Sequence, residues 1–161
     1  SFGVVRHPLS RAQSAFRFFR QGGIQRDDAY RLGGRSTLEM DFDEFVEAIW
    51  KHPSQAFRNR LLRPQVDYLA IPWWRSYEQG ASAVLKLEQV EDWSRLLVRS
   101  FGKEISTTVP EIMMSKSENI SDDPNIHLPS EVTIERIKSL YKLDYEILGY
   151  DSGFTELGKP R

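Results

Sequence analysis

The chain has 161 residues, 40% hydrophobic, 12% aromatic and 28% charged, enough to bury a core and unlike a disordered or low-complexity segment. A net charge of -1 excludes a general nucleic-acid coat, which needs a basic surplus, but leaves room for a local basic site. The absence of cysteine excludes a disulfide framework and thiolate metal sites and suits a cytoplasmic setting. No apolar run approaches the roughly 18 residues of a transmembrane segment.

Phe2 to Val5 is apolar and valine-rich and predicts a short buried strand. Pro8 stops it, and Ser10 is placed to cap a helix over Arg11 to Gln21 that buries Ala12, Phe16 and Phe19. Residues 22 to 40 are polar and glycine-containing and predict a loop. Asp41 with Glu44 three residues on has the form of a capping box, opening a helix whose Phe42, Phe45, Val46, Ile49 and Trp50 form one apolar stripe. His52-Pro53 closes it. Ala83 to Leu87 predicts a second buried strand, and Glu88 to Phe101 a helix with Val90, Trp93, Leu97 and Phe101 on one side. After a polar stretch, Ser130 caps the longest predicted helix, with Ile134, Ile137, Tyr141, Tyr145 and Leu148 in register and Gly149 near its end; the tail from Asp151 is expected to fray. Two strands alternating with four helices predict an α/β fold with a parallel sheet. Two strands are few for such a sheet, and the chain opens inside an apolar stretch without methionine, so the domain is expected to be incomplete at its N-terminus.

In open α/β sheets, ligands bind at the carboxyl ends of strands, where a helix start offers unsatisfied N–H groups. Arg6 lies at such an end, and Ser14 lies one turn beyond the predicted cap. Arginine presents a donor fork matched to phosphate oxygens, and the serine hydroxyl adds one more donor. Together they are expected to form half of a phosphate site; a surface arginine and a polar helix residue are the alternative on these residues alone. His7, beside them, can act as a base near neutral pH, although a histidine next to an anion is more often a hydrogen-bond donor. Glu88 reads most simply as a helix-start carboxylate favoured by the dipole. Arg58, Arg60 and Arg63 can line an acidic acceptor or form a solvated surface, and Trp73-Trp74 can stack on a sugar or pack in a core. The histidines, His127 included, share no metal-ligand spacing, and no nucleophile triad can be assembled.

The run Val4-Val5-Arg6-His7-Pro8-Leu9-Ser10-Arg11-Ala12-Gln13-Ser14-Ala15-Phe16 resembles the 3′-phosphate motif of sulfotransferases that use 3′-phosphoadenosine 5′-phosphosulfate (PAPS). Asp43-Glu44-Phe45-Val46, Arg63-Pro64-Gln65-Val66-Asp67-Tyr68-Leu69, Val84-Leu85-Lys86-Leu87-Glu88 and the segment Leu140 to Tyr150 are similar, in the same order, to segments of the carbohydrate (Golgi-type) branch. The resemblance implies a P-loop-like sulfotransferase fold over residues 1–150, with 151–161 as a tail. It implies PAPS as sulfuryl donor without a metal, and a small-molecule or glycan acceptor. It implies Arg6 and Ser14 on the donor's 3′-phosphate, Arg11 orienting the turn, and Lys116 with Ser117 in a later nucleotide-contacting loop. His7 stands where the branch commonly has aspartate, and Leu62 where it has tryptophan. The family's upstream 5′-phosphosulfate loop and catalytic base find no counterpart, so the chain is expected to be the C-terminal part of the domain, with no catalytic residue assigned. A full protein with an N-terminal anchor would instead sit in the Golgi lumen. The competing expectations are a non-catalytic binding domain on the same scaffold and a phosphoryl-transfer enzyme, which would need metal-holding carboxylates at the strand ends.

Overall fold

The computed structural model describes residues 2–21, 30–73, 76–79, 81, 83–89, 93 and 128–150. In chain order the elements are β1 (Phe2–Val5), α1 (Pro8–Arg20), β2 (Arg31–Leu32), β3 (Arg35–Ser36), a 3-10 turn (Thr37–Glu39), α2 (Phe42–Lys51), α3 (Pro53–Ala56) and α4 (Val66–Leu69). There follow β4 (Ala70–Trp73), β5 (Ser76–Gln79), β6 (Ala83–Lys86), a 3-10 turn (Leu87–Gln89), α5 (Glu131–Leu140) and α6 (Lys142–Ile147). The chain forms two compact units, Ser1–His7 with Asp67–Leu128 and Pro8–Val66 with Pro129–Arg161.

In the first unit β1 and β6 pair in parallel, from Phe2 opposite Ala83 to Val5 opposite Lys86. Val5, Leu85 and Trp93 are buried. Gly3 packs against Leu69 so closely that a Cβ would overlap the leucine side chain. β4 and β5 form a separate antiparallel pair. The parallel β1–β6 pair within a mixed helix and sheet chain is the α/β class expected from the sequence, with more strands than the two expected.

In the second unit, α1 begins at Pro8, earlier than the predicted Arg11, so Ser10 lies inside the helix and does not cap it. Proline suits a first helical position because its ring presets φ and its missing N–H has no intrahelical partner there. Leu9, Ala12, Ala15, Phe16 and Phe19 are buried along α1. Phe16 meets Phe45 of α2 with ring centroids 5.1 Å apart, and Phe19 stacks on Tyr30 at 4.4 Å. The capping box of α2 is formed as predicted, Asp41 Oδ1 accepting from Glu44 N and Glu44 Oε2 from Asp41 N. α5 packs on α2 and opens with Ser130 Oγ accepting from Thr133 N, again as predicted.

Three predictions change here. The expected loop over 22–40 holds the β2–β3 hairpin, whose Gly33 and Gly34 both have positive φ, as a two-residue primed turn requires. The helix expected to be the longest breaks at Tyr141 into α5 and α6, and the 13-residue α1 is the longest described. Leu87–Gln89, expected to end a strand and start a helix, is a 3-10 turn; Val90, Leu97 and Phe101 lie outside the described residues. At the end of α6, Gly149 adopts φ 64° and Tyr150 N donates to Tyr145 O, closing the helix in the manner of a Schellman motif.

Candidate functional site

The carboxyl end of the parallel pair gathers charged groups from both strands. β1 runs directly into Arg6 and His7, while β6 ends in Lys86 beside Val5 and turns through Leu87–Gln89. Glu88, which the sequence suggests is a helix-start carboxylate, instead accepts the His7 backbone N–H on its Oε1 at 2.6 Å. The bond ties the exit of β1 to the exit of β6 across 81 residues of chain. Trp93 Nε1 donates to the Lys86 carbonyl at 2.7 Å, fixing the end of β6 as well. Burial pushes the His7 imidazole below its ordinary value, Glu88 opposes the shift and Lys86 adds to it. His7 is therefore neutral at pH 7, and the positive charge at this sheet edge comes from Arg6 and Lys86. Sequence reasoning missed Lys86; its place at the end of a strand that pairs with β1 was the available signal.

Ser14 belongs to the second unit. It is half-buried on α1 and shares a stripe with Ser10 and Arg17, spaced four and three residues apart. Arg11 lies nearby in sequence but turns elsewhere: its Nη2 donates to the Arg60 carbonyl at 3.0 Å. Lys116, Ser117 and His127 lie outside the described residues, as does Trp74. Trp73 sits in β4 opposite Ser76.

The second unit also holds a buried polar cluster that sequence reasoning missed. Asp144, fully buried, accepts from the backbone N–H groups of Gln65 and Val66, both at 2.9 Å, and from Gln65 Nε2 at 3.4 Å. Tyr141 Oη donates to the Leu62 carbonyl at 2.8 Å. Burial pushes the Asp144 carboxyl up, against the pull of its hydrogen bonds and of Arg11. Burial also raises the Tyr141 hydroxyl, which stays protonated as the donor, and takes that of Tyr145 up to about 12. The Arg-Pro-Gln segment is thus held by the aspartate and tyrosine of the terminal helical segment.

Among the described residues no three histidine or acidic side chains converge as a metal site would require, and no helix is long and apolar enough to cross a membrane. No curated protein and no solved structure matches the chain. Its sequence does fit one family pattern, that of the sulfotransferases, over residues 1–151. With that match covering nearly its whole length, the chain belongs to the sulfotransferase family.

Proposed function

We propose that this domain transfers a sulfuryl group from PAPS to a hydroxyl or amine of a carbohydrate, with Arg6 and Ser14 engaging the donor's 3′-phosphate and Lys116 a further nucleotide contact. The observation that carries the reading is Arg6 just past the carboxyl end of β1, one residue beyond Val5, which pairs with Lys86 at the end of the parallel β6. Two cations at adjoining strand ends suit a polyanionic nucleotide, and the Glu88–His7 bond ties the exit of β1 to that of β6. The donor, when bound, supplies an activated sulfuryl group and leaves as adenosine 3′,5′-bisphosphate. This chain's own contribution is positioning and charge: Arg6 presents paired donors, Lys86 raises the local positive potential, and neutral His7 adds no third charge to the free site.

The test is calorimetric titration of the full chain with adenosine 3′,5′-bisphosphate. Arg6→Ala is expected to weaken binding by tenfold or more, since a charge-assisted hydrogen bond is worth about 1.5–3 kcal/mol. Arg6→Lys should recover part of the loss, keeping the charge without the fork. Equal affinity in Arg6→Ala and the wild type would remove Arg6 from the site.

A further inference from the structure

His7 is the immediate neighbour of Arg6 and the residue at the exit of β1 whose side chain titrates near neutral pH. Where the carbohydrate branch commonly has aspartate, this chain has an imidazole, so a charge that is fixed there becomes one that titrates here. The imidazole has a defined place. Its backbone N–H donates to Glu88 Oε1 at 2.6 Å, which joins it to the turn after β6. The ring is half-buried, and its Nδ1 edge is closed off from solvent. Burial is the largest influence on it and holds it neutral in the free chain. Glu88, from the turn, favours the protonated ring, and Lys86, from β6, disfavours it.

An anion arriving at Arg6 changes that balance. An opposite charge within about 4–6 Å moves the midpoint of an ionisable group by roughly 1–3 pH units toward its charged form. A phosphate monoester brings about -1.5 to -2 charges at neutral pH, and Arg6 would hold it beside the neighbouring residue's ring. Partial burial strengthens the effect, because less water screens the pair. The direction follows from linkage: a group more basic in the loaded site than in the free one takes up a proton on loading. The gain in affinity is complete below the free midpoint of His7 and is lost as pH rises through the loaded one.

We infer that His7 takes up a proton from solvent as the donor's 3′-phosphate docks at Arg6, so that two cations in the free site become three in the loaded one. Arg6 and Lys86 attract the nucleotide throughout the neutral range, and the imidazolium forms only once the anion is there to stabilise it. Donor affinity therefore rises as the medium becomes mildly acidic, in a range where arginine and lysine do not titrate. This inference rests on the sulfotransferase reading above and adds a proton to its donor-binding step.

The experiment titrates the full chain with adenosine 3′,5′-bisphosphate by calorimetry from about pH 6 to about pH 8, and near pH 7 in buffers of different ionisation enthalpy. The dependence of the observed heat on the buffer gives the number of protons exchanged. The nucleotide's own phosphates titrate near pH 6, at about the second ionisation of any phosphate monoester, and release protons on binding. His7→Gln shares that contribution, so the difference between the two proteins isolates the imidazole. The wild type is expected to take up roughly half a proton more than His7→Gln near pH 7. Its affinity is expected to fall about fivefold more across the pH range than that of the variant. Equal proton uptake and equal pH dependence would overturn the role of His7, while binding that still depends on Arg6 would leave the donor reading standing. No binding of the nucleotide to the wild type would sink the donor reading and this inference with it. Should His7→Gln alone fail to bind, proton NMR of the wild type decides, since the chain has three histidines and the variant's spectrum identifies the His7 signal. Its midpoint is expected to move up by about one pH unit or more with nucleotide bound, and an unmoved midpoint would overturn the proposal.

Discussion

Asp144 leaves nothing exposed to solvent and accepts three hydrogen bonds, two of them from backbone donors. Removing one member of such a buried set strands the others, at about 1–3 kcal/mol for each unsatisfied group. Asp144→Ala is therefore expected to lower the unfolding free energy by about 2–5 kcal/mol in urea titrations, more than Tyr141→Phe, which frees a single carbonyl. Glu44 gives the opposite case, an exposed carboxylate whose capping bond to Asp41 N and contact with Arg35 hold it below the ordinary range. A depressed folded value means stability that is present above the unfolded value and lost as pH falls through the folded one. Thermal melts from neutral to acid pH should show a shallower acid decline in Glu44→Gln than in the wild type. The two residues also differ in legibility. Asp41 and Glu44 announce themselves by local spacing, because cap and partner are three residues apart. Asp144 sits in a helix pattern where an acidic residue ordinarily faces water, and its partners are 79 and 78 residues away. Arg6 was legible because a strand-to-helix boundary is itself a local signal.

At the scale of elements, the sequence showed what recurs over several residues and hid what does not. The capped starts of α2 and α5 and the strands β1 and β6 were readable from caps and apolar runs. The two-residue strands β2 and β3 are too short for any alternation to register. The break at Tyr141 escaped because the buried positions continue in step on both sides of it, Ile137 before and Tyr145 and Leu148 after. The hairpin offers a paired test. A Cβ on Gly33 (φ 59°) would lie 2.6 Å from the His52 ring, whereas one on Gly34 (φ 82°) would meet nothing within 4 Å. Positive φ costs a non-glycine residue about 1 kcal/mol in either place. Gly33→Ala should therefore lower the melting temperature further than Gly34→Ala, by the added cost of displacing His52. Equal losses would show that the imidazole moves aside freely.

For the molecule as a whole, burial is uneven among the described residues. The second unit contains the Phe16, Phe19, Phe42 and Phe45 cluster, and in it Phe45, Val46, Ile49, Leu62 and Ile137 are all at 0% exposure. The first centres on a two-stranded parallel pair in which Phe2 and Val4 are 54% and 44% exposed. Opening free energy follows local burial. Hydrogen exchange should accordingly find the slowest amides in α2 and α5 and faster ones in β1; slower exchange in β1 than in α2 would contradict this ranking.

The bonds from Tyr141 and Asp144 back to the Arg-Pro-Gln segment have one more consequence, for the order in which a ribosome can complete the domain. That segment leaves the exit tunnel long before its fasteners do, since each bond spans about 79 residues. At the usual rate of synthesis that interval is roughly 4–16 s. Until Tyr141 and Asp144 emerge, the Leu62 carbonyl and the Gln65 and Val66 N–H groups have only water or a chaperone to bond with. A nascent chain stalled before Tyr141 should stay open to protease at Arg58, Arg60 and Arg63, and one released after Tyr150 should resist cleavage there.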